Sequence, residues 1–349
     1  MYIEQLDTPV VIIDLDKMES NIHRLQNYLD QHGIANHPHI KTHKIPEIAH
    51  MQIAAGAAGI SCQKLGEAEV MVQAGIKDIF IPYNLMGAAK MERLAHLCKR
   101  ANISVAADSE HTVKELSTAG QQANQALSVL VEFDSGKGRC GMRTPDQAAD
   151  LARLIARTPG LHFGGLMTYP NSEQTDSFVS AVKEQLAGDG LAVKRVSGGG
   201  TPVMWQAHNH EQITEHRAGT YVYGDRTTIR DKSIHLEECA LTVITTVVSR
   251  PTEDVCFLDG GSKTFSSDTM GLEGHGLILE YPEALIQGFS EEHGHVNISR
   301  CPDKPAVGER VTVIPNHCCV VSNLFEEVVG VRNGEVEVVW PVACRGRLK

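Results

Sequence analysis

The sequence predicts a (β/α)8 TIM barrel followed by a smaller β domain. Three observations carry this expectation. Short β-rich runs alternate with helix-length segments across residues 12–235. Eight such units follow one another, which is the number a closed barrel requires. From residue 236 onward helical periodicity stops and only strand patterns remain. The expected domains are therefore 12–235 and 236–349, with residues 1–11 available to pair with the second. An open doubly wound sheet is the alternative for the first domain, and eight similar units favour the barrel.

In chain order, the expected barrel strands are "PVVIIDL", "ANHPHIK", "GISCQ", "DIFIPY", "ISVAAD", "LSVLVEFD", "LHFGGLMTY" and "AVKRVSGGG". Between them, "MESNIHRLQNYLDQHG", "LGEAEVMVQAG", "MERLAHLCKRAN" and "PDQAADLARLIARTPG" repeat apolar residues at three-to-four spacing and close on Gly or Asn. The segment 208–216, "HNHEQITEH", reads as exposed helix. In the second domain "CALTVITTVVSR", "VCFLDGG", "GLILEYPEALIQGF" and "RVTVIPNH" read as strands. A hairpin "EEVVGVRNGEVEVVWPV" turns at "RNG".

Composition excludes several function classes. Of 349 residues, 42% are hydrophobic, enough for a sizeable core, and the formal charge is −11. A chain this acidic, with no long basic patch, is not expected to bind nucleic acid. No run of about 18 apolar residues predicts a membrane span. The start "MYIEQLDTPVV" lacks the layout of a signal peptide. Nine cysteines without framework spacing suggest reduced thiols in the cytosol.

Chemistry in a barrel collects at the C-terminal ends of the strands. "NHPHIKTHK" places Lys41 just beyond the second expected strand. A lysine held in a barrel mouth can be desolvated and serve as a nucleophilic amine. "DSGKGRCGMR" places Arg139 after the sixth strand, and "MTYP" places Tyr169 after the seventh. "SGGGTP" follows the eighth, with Ser197, Gly199 and Gly200. "RAGTYVYGD" lies close behind, with Gly219, Thr220 and Tyr223. Such turns at a helix start offer backbone N–H groups to a phosphate. A lysine at one strand end and a phosphate cradle elsewhere in the mouth suggest pyridoxal phosphate.

The motifs "TPVVIIDLDKMESNI", "HPHIKTHK", "CQKLGEAEV", "SGGGTP", "HRAGTYVYGD", "LDGGSK", "SEEHGH" and "PNHCC" run over nearly the whole chain. With them the sequence resembles the D-threonine aldolase / D-serine dehydratase family of alanine-racemase-like pyridoxal phosphate enzymes. The resemblance implies that Lys41 carries the cofactor and that Arg139 stands near its phenolic oxygen. It implies that Tyr169 packs on the pyridine ring. Gly199, Gly200, Gly219 and Thr220 correspond to the phosphate-binding backbone, and either Arg217 or Tyr223 to the group near the pyridine nitrogen. It also implies a homodimer.

"PNHCCVVSN" adds a metal. Read as an extended run, it turns the side chains of His317 and Cys319 to one face and that of Cys318 to the other. Imidazole and thiolate suit zinc, with water or substrate completing the shell. The resemblance supports a divalent metal, zinc or manganese, held by His317 and Cys319. In this family some aldolases carry a carboxylate at the second position, whereas D-serine dehydratases carry cysteine. The weaker candidates are His39, His43, Lys44, the histidines of "SEEHGH", and Glu67, expected to reach back into the barrel.

The implied activity is cleavage of β-hydroxy-D-amino acids, foremost as a D-threonine-aldolase-type lyase giving glycine and an aldehyde. A D-serine or 3-hydroxy-D-aspartate dehydratase, giving a 2-oxo acid and ammonia, uses the same parts. An amino-acid racemase needs a second base and no H-x-C pair. A non-catalytic cofactor carrier would lack the β domain.

Overall fold

The computed structural model describes Met1–Lys349. Contacts divide the chain into two compact units. One comprises Met1–His23, Thr42–Glu47 and Thr220–Gly346; the other comprises Arg24–Lys41, Ile48–Gly219 and Arg347–Lys349. The boundaries differ from the expected 12–235 and 236–349 because β1 (Val10–Asp14) is not a barrel strand. It pairs antiparallel with a strand starting at Leu241 and parallel with one starting at Glu327. Its "VII" run, Val11–Ile13, is buried on both faces, which looks the same in either kind of sheet.

The barrel unit holds eight parallel strands. They are β2 (Ala35–Asn36), β3 (Ile60–Ser61), β4 (Asp78–Asn84), β5 (Asn102–Ala107), β6 (Leu127–Glu132), β7 (Leu161–Met167), β8 (Val196–Gly199) and β9 (Glu215–Arg217). Their order is β2-β9-β8-β7-β6-β5-β4-β3. A parallel bridge between His39 and Ser61 joins the two ends, with Ile40 N–H donating to Ser61 O at 2.9 Å, and so closes the ring. The eighth strand is thus "EHR", overlapping the end of the segment expected to be exposed helix. A three-residue strand of charged side chains shows no strand alternation. It is buried because Glu215 pairs with Arg195 and Arg217 donates to Ser197 and to Thr168 O within the barrel.

Helix α1 (Leu15–Gln31) precedes the ring. Between strands lie α2 (Pro46–Ala54), α3 (Leu65–Gln73), α4 (Ala88–Cys98), α5 (Glu110–Ala123), α6 (Pro145–Arg157) and α7 (Thr175–Ala187), and a 3-10 helix, Thr201–Asn209, links β8 to β9. Helix α6 shows why these segments are helical. Thr144 accepts from Gln147 N–H as N-cap and Pro145 occupies the first turn, an arrangement whose cap is worth about 1 kcal/mol. Ala148, Leu151, Ala152 and Ile155 then form one buried stripe. Inside the ring, Phe80, Ala106, Leu130 and Met167 from four successive strands make an apolar layer.

The other unit is built on a nine-stranded mixed sheet. Its strands are β1, β10 (Leu241–Ser249), β11 (Val255–Leu258), β12 (Gly276–Ile278), β13 (Leu285–Phe289), β14 (Gly294–Asn297), β15 (Arg310–Pro315), β16 (Glu327–Arg332) and β17 (Glu335–Pro341). Short helices α8 (Arg226–Arg230), α9 (Ser262–Phe265) and α10 (Cys318–Leu324) interrupt it. Ile12, Ile244, Val329 and Val331 form one of its cores. The N-terminus pairs as expected, Tyr2 bridging to Glu335. No helix is long and apolar enough to cross a membrane.

Candidate active site

Lys41 stands two residues beyond the bridge that closes the barrel. The ladder to β9 continues past Asn36, with His37 N–H donating to His216 O at 2.9 Å and His39 N–H to Ala218 O at 2.8 Å. Extended backbone therefore runs to His39 and delivers Lys41 to the C-terminal end of the first strand of the ring; the expected place is after the second, because that count includes β1 as a barrel strand. The two flanking histidines serve the backbone. His39 Nδ1 accepts from Lys41 N–H at 3.4 Å while its Nε2 meets Gln63, and His43 Nδ1 accepts from Ile45 N–H.

At the ends of β6 and β7, the Arg139 guanidinium lies 5.0 Å from the Tyr169 ring centre, and its Nη2 is 4.0 Å from Glu132. Glu132 is buried. Burial first, then the neighbouring Asp108 carboxylate, push its carboxyl up to about 7, against the pull of Arg139 and Arg217. Asp108, Glu132 and Cys140 bring ligand atoms within 4.8 Å of one another, yet the guanidinium against Glu132 already supplies the positive charge there.

The glycine turn departs from its expected role. Gly199 N–H donates to Asn171 Oδ1 and Gly200 N–H to Arg217 O, both at 2.9 Å. Neither is left to meet a phosphate. The reason is geometric: parallel pairing to β9 continues past Gly199 and takes the Gly200 donor, while the Asn171 side chain takes that of Gly199. What the glycines provide is space. A Cβ on Gly198 would stand 2.1 Å from Asn171 Oδ1, and one on Gly200, at φ +116°, 3.2 Å from Tyr169 Cε2. The Thr201 N–H, first in its 3-10 helix, has no intrahelical acceptor. Gly219 N–H points to Thr201 Oγ1 at 3.2 Å.

Ser197 is likewise displaced from the expected cofactor contact. It is fully buried, and its Oγ bonds to Glu215 and to an Arg217 Nη. Arg217 also donates to Thr168 O at 2.8 Å, and burial lowers its pKa to about 10. Glu215 binds Arg195 through two bonds, at 2.7 and 3.0 Å. This network lets three polar strand residues lie inside the ring. Asn171 Nδ2, also buried, has no partner. Glu67 does not reach into the barrel. It accepts from Gln63 and Lys64 N–H groups and caps α3. "SEEHGH" forms the turn between β13 and β14, where Ser290 Oγ meets His295 Nε2 at 3.0 Å.

In the β unit, "PNHCC" is not one extended run. β15 stops at Pro315, His317 is the N-cap residue of α10, and Cys318 and Cys319 open that helix. The strand alternation assumed for His317 and Cys319 therefore does not hold. The helix start nevertheless brings the two together: Cys319 is the strongest electrostatic influence raising His317 and also a hydrogen-bond partner to it. Burial works against the imidazolium, and Cys319 and Asp225 more than offset it, so the pKa of His317 is raised. Cys319 Sγ lies 3.1 Å from Thr42 Oγ1 and 3.8 Å from Thr220 Oγ1; in the sequence these follow Lys41 and Gly219. Cys318 is fully buried.

Sequence reasoning gave Asp225 no role, although "VYGD" contains it. Its Oδ2 accepts from His317 Nδ1 at 2.9 Å and from Cys318 N–H at 3.0 Å. Only the fold shows this, because 92 residues separate aspartate and histidine. Tyr223 is fully buried, faces the cysteine pair, and its hydroxyl has no partner in the protein. An orphaned buried hydroxyl is costly and marks a place where a bound group would be met.

A closed β/α barrel with a lysine just past its first strand, in a chain that also builds a mixed β unit, defines the class of alanine-racemase-like barrel enzymes. The model of the alanine racemase N-terminal domain matches residues 13–227, and that of a putative serine dehydratase domain matches 240–331; the chain belongs to the alanine racemase N-terminal domain family. It is 34% identical to a D-threonine aldolase of an Arthrobacter species and 34% identical to a 3-hydroxy-D-aspartate aldolase of Paracoccus denitrificans. Each match covers 98% of this chain and 93% of the relative. The crystal structure of the D-threonine aldolase from Filomicrobium marinum superposes with a TM-score of 0.92 at 30% identity, covering 99% of this chain and 98% of that one. A D-threo-3-hydroxyaspartate dehydratase with one cysteine replaced by alanine, in its metal-free form, superposes with a TM-score of 0.85 at 27% identity over 98% of both chains.

Proposed function

We propose that the protein is a pyridoxal phosphate- and divalent-metal-dependent lyase of β-hydroxy-D-amino acids, of the D-threonine aldolase type. The observation that carries it is the imidazole–thiol pair of His317 and Cys319 in a chain whose barrel places Lys41 at a strand end. A racemase or a cofactor carrier has no use for that pair. Aldolase relatives matched over nearly the whole chain support the same reading.

When bound, pyridoxal phosphate supplies an electron sink for a bond broken at the substrate Cα, and a zinc or manganese ion supplies Lewis acidity at the β-hydroxyl. The residues fit both groups. Lys41 holds the cofactor through its amine and moves the proton at the substrate Cα. Arg139 and Tyr169 flank it. Thr201 N–H and Thr220 are the donors for its phosphate, Gly219 holds the Thr201 hydroxyl beside them, and Gly199 and Gly200 leave room. Tyr223 offers its unpartnered phenol to a bound group, and Arg217 is the alternative for the pyridine nitrogen. His317 holds the metal through Nε2, since Nδ1 is turned to Asp225. Cys319 supplies the thiolate, and open positions take water and substrate.

One observation favours the dehydratase as second reading. The second ligand is a thiol, and a D-threo-3-hydroxyaspartate dehydratase with one cysteine replaced by alanine, in a metal-free form, is among the similar structures. Products decide between them: glycine plus aldehyde, or a 2-oxo acid plus ammonia, from D-threonine, D-serine and 3-hydroxy-D-aspartate. Turnover of none of the three overturns the lyase reading. Nine free cysteines, eight of them shielded from full exposure, suit a reducing cytosol, and a homodimer is checked by sedimentation.

A further inference from the structure

Asp225 is fully buried, and its two oxygens serve two different segments. Oδ1 caps α8, accepting Thr228 N–H at 2.9 Å and the Thr227 hydroxyl at 2.6 Å. Oδ2 faces "HCC", accepting His317 Nδ1–H at 2.9 Å and Cys318 N–H at 3.0 Å. A cap alone does not require a charge, since Ser or Asn caps as well without the expense of burying a carboxylate. The second oxygen therefore needs its own explanation. A carboxylate behind a histidine fixes the tautomer with hydrogen on Nδ1, leaves the Nε2 lone pair for a metal, and raises the basicity of the ring.

We propose that Asp225 is the positioning residue of the metal centre, holding His317 in its metal-binding tautomer and, through the Cys318 N–H, fixing the helix start that presents Cys319. This rests on the reading of His317 and Cys319 as metal ligands. The same oxygen sets both ligands, so one substitution reaches both. An asparagine cannot replace it. With its oxygen kept at the cap, its NH2 would confront two donors, His317 Nδ1–H and Cys318 N–H.

The test uses the cofactor-loaded full chain stripped of metal, titrated with Zn2+ against a competing chelator and with Co2+ followed by its visible spectrum. Asp225→Asn should weaken metal binding about 10–100-fold and alter the cobalt spectrum, while the cofactor's absorbance is kept. Asp225→Ser, which retains a cap acceptor for Thr228 N–H, should do the same, and serves if the asparagine variant does not fold. Thr227→Val removes a partner of Oδ1 alone and should leave metal affinity unchanged. Wild-type affinity and spectrum in both Asp225 variants overturn the proposal, as does an equal loss in Thr227→Val, which would make the effect one of helix capping. His317→Ala separates the parent reading: if it loses metal while the Asp225 variants do not, only the positioning role fails. If it keeps metal, the ligand assignment fails with it.

Discussion

The guanidinium of Arg139 stands 5.0 Å from the ring centre of Tyr169, and that ring lies against Gly200, the residue whose Cβ would reach it at 3.2 Å. Arginine, tyrosine and glycine come from the ends of three neighbouring strands, β6, β7 and β8. Each constrains the next. The planar guanidinium and the ring form a stack that a lysine cannot reproduce. Arg139→Lys should keep the fold and weaken cofactor retention several-fold, measured by dialysis and absorbance. Retention equal to wild type would remove Arg139 from the site.

Gly200→Ala should be more damaging than its size suggests. The backbone there has φ +116°, and the added methyl meets Tyr169. The cost is on the order of 1–3 kcal/mol, concentrated on cofactor binding. Gly188, at the end of α7 with φ −69° and open space around it, is the control. Gly188→Ala should be neutral or slightly stabilising. Equal melting temperatures and equal cofactor affinities for the two variants would refute the steric account.

Lys41→Ala should abolish borohydride-fixed attachment of pyridoxal phosphate and reduce lyase activity to background. Peptide mapping of the reduced wild-type protein checks it directly. Label on Lys44 instead would move the assignment three residues along.

Cys319→Ala should behave like chelator-treated protein, retaining the cofactor and losing metal and lyase activity. Cys318→Ala should keep its metal, because that thiol is fully buried, and should lose stability through the packing it leaves. Metal analysis of both variants distinguishes them. Full occupancy in Cys319→Ala contradicts the thiolate assignment.

Substrate handedness is a further check on the functional reading. D-threonine and 3-hydroxy-D-aspartate should be turned over and their L-isomers left untouched. Comparable rates on L-threonine would exclude a D-specific lyase.

Glu132 gives a pH prediction. Its ordinary value is 4.5 and in the fold it lies at about 7, burial being the main cause and Asp108 the next. The folded state therefore holds this proton more tightly than the unfolded chain. The associated stability is full below pH 4.5 and is lost as pH rises through about 7. Glu132→Gln has no such loss, so its melting temperature should gain on wild type between pH 5 and pH 8. The corresponding gain in unfolding free energy should be on the order of 1–3 kcal/mol. A constant difference across that range would sink the prediction.

The sequence by itself determined the local elements and singled out the candidate residues for the chemistry. Periodicity in "PDQAADLARLIAR" defined α6, and the turn "RNG" defined the hairpin of β16 and β17. "HPHIKTHK" placed Lys41 at a strand end. These are short-range properties, fixed by propensity and by neighbours a few residues apart. Tertiary structure decided which sheet each strand joined. "PVVIID" has two apolar faces and pairs equally well in a barrel or a mixed sheet, so only its long-range partners, residues 241–244 and 329–331, settle its place. "EHR" carries the opposite disguise: charged residues became a barrel strand because Arg195, Ser197 and Thr168, distant in sequence, satisfy them. The same holds at the two candidate sites. The glycine donors were taken by Asn171 and by Arg217 of β9, and His317 gained Asp225 across 92 residues. Hydrogen bonds between segments far apart in the chain leave no periodic trace in it, and those bonds set the orientation of every side chain on which the chemistry depends.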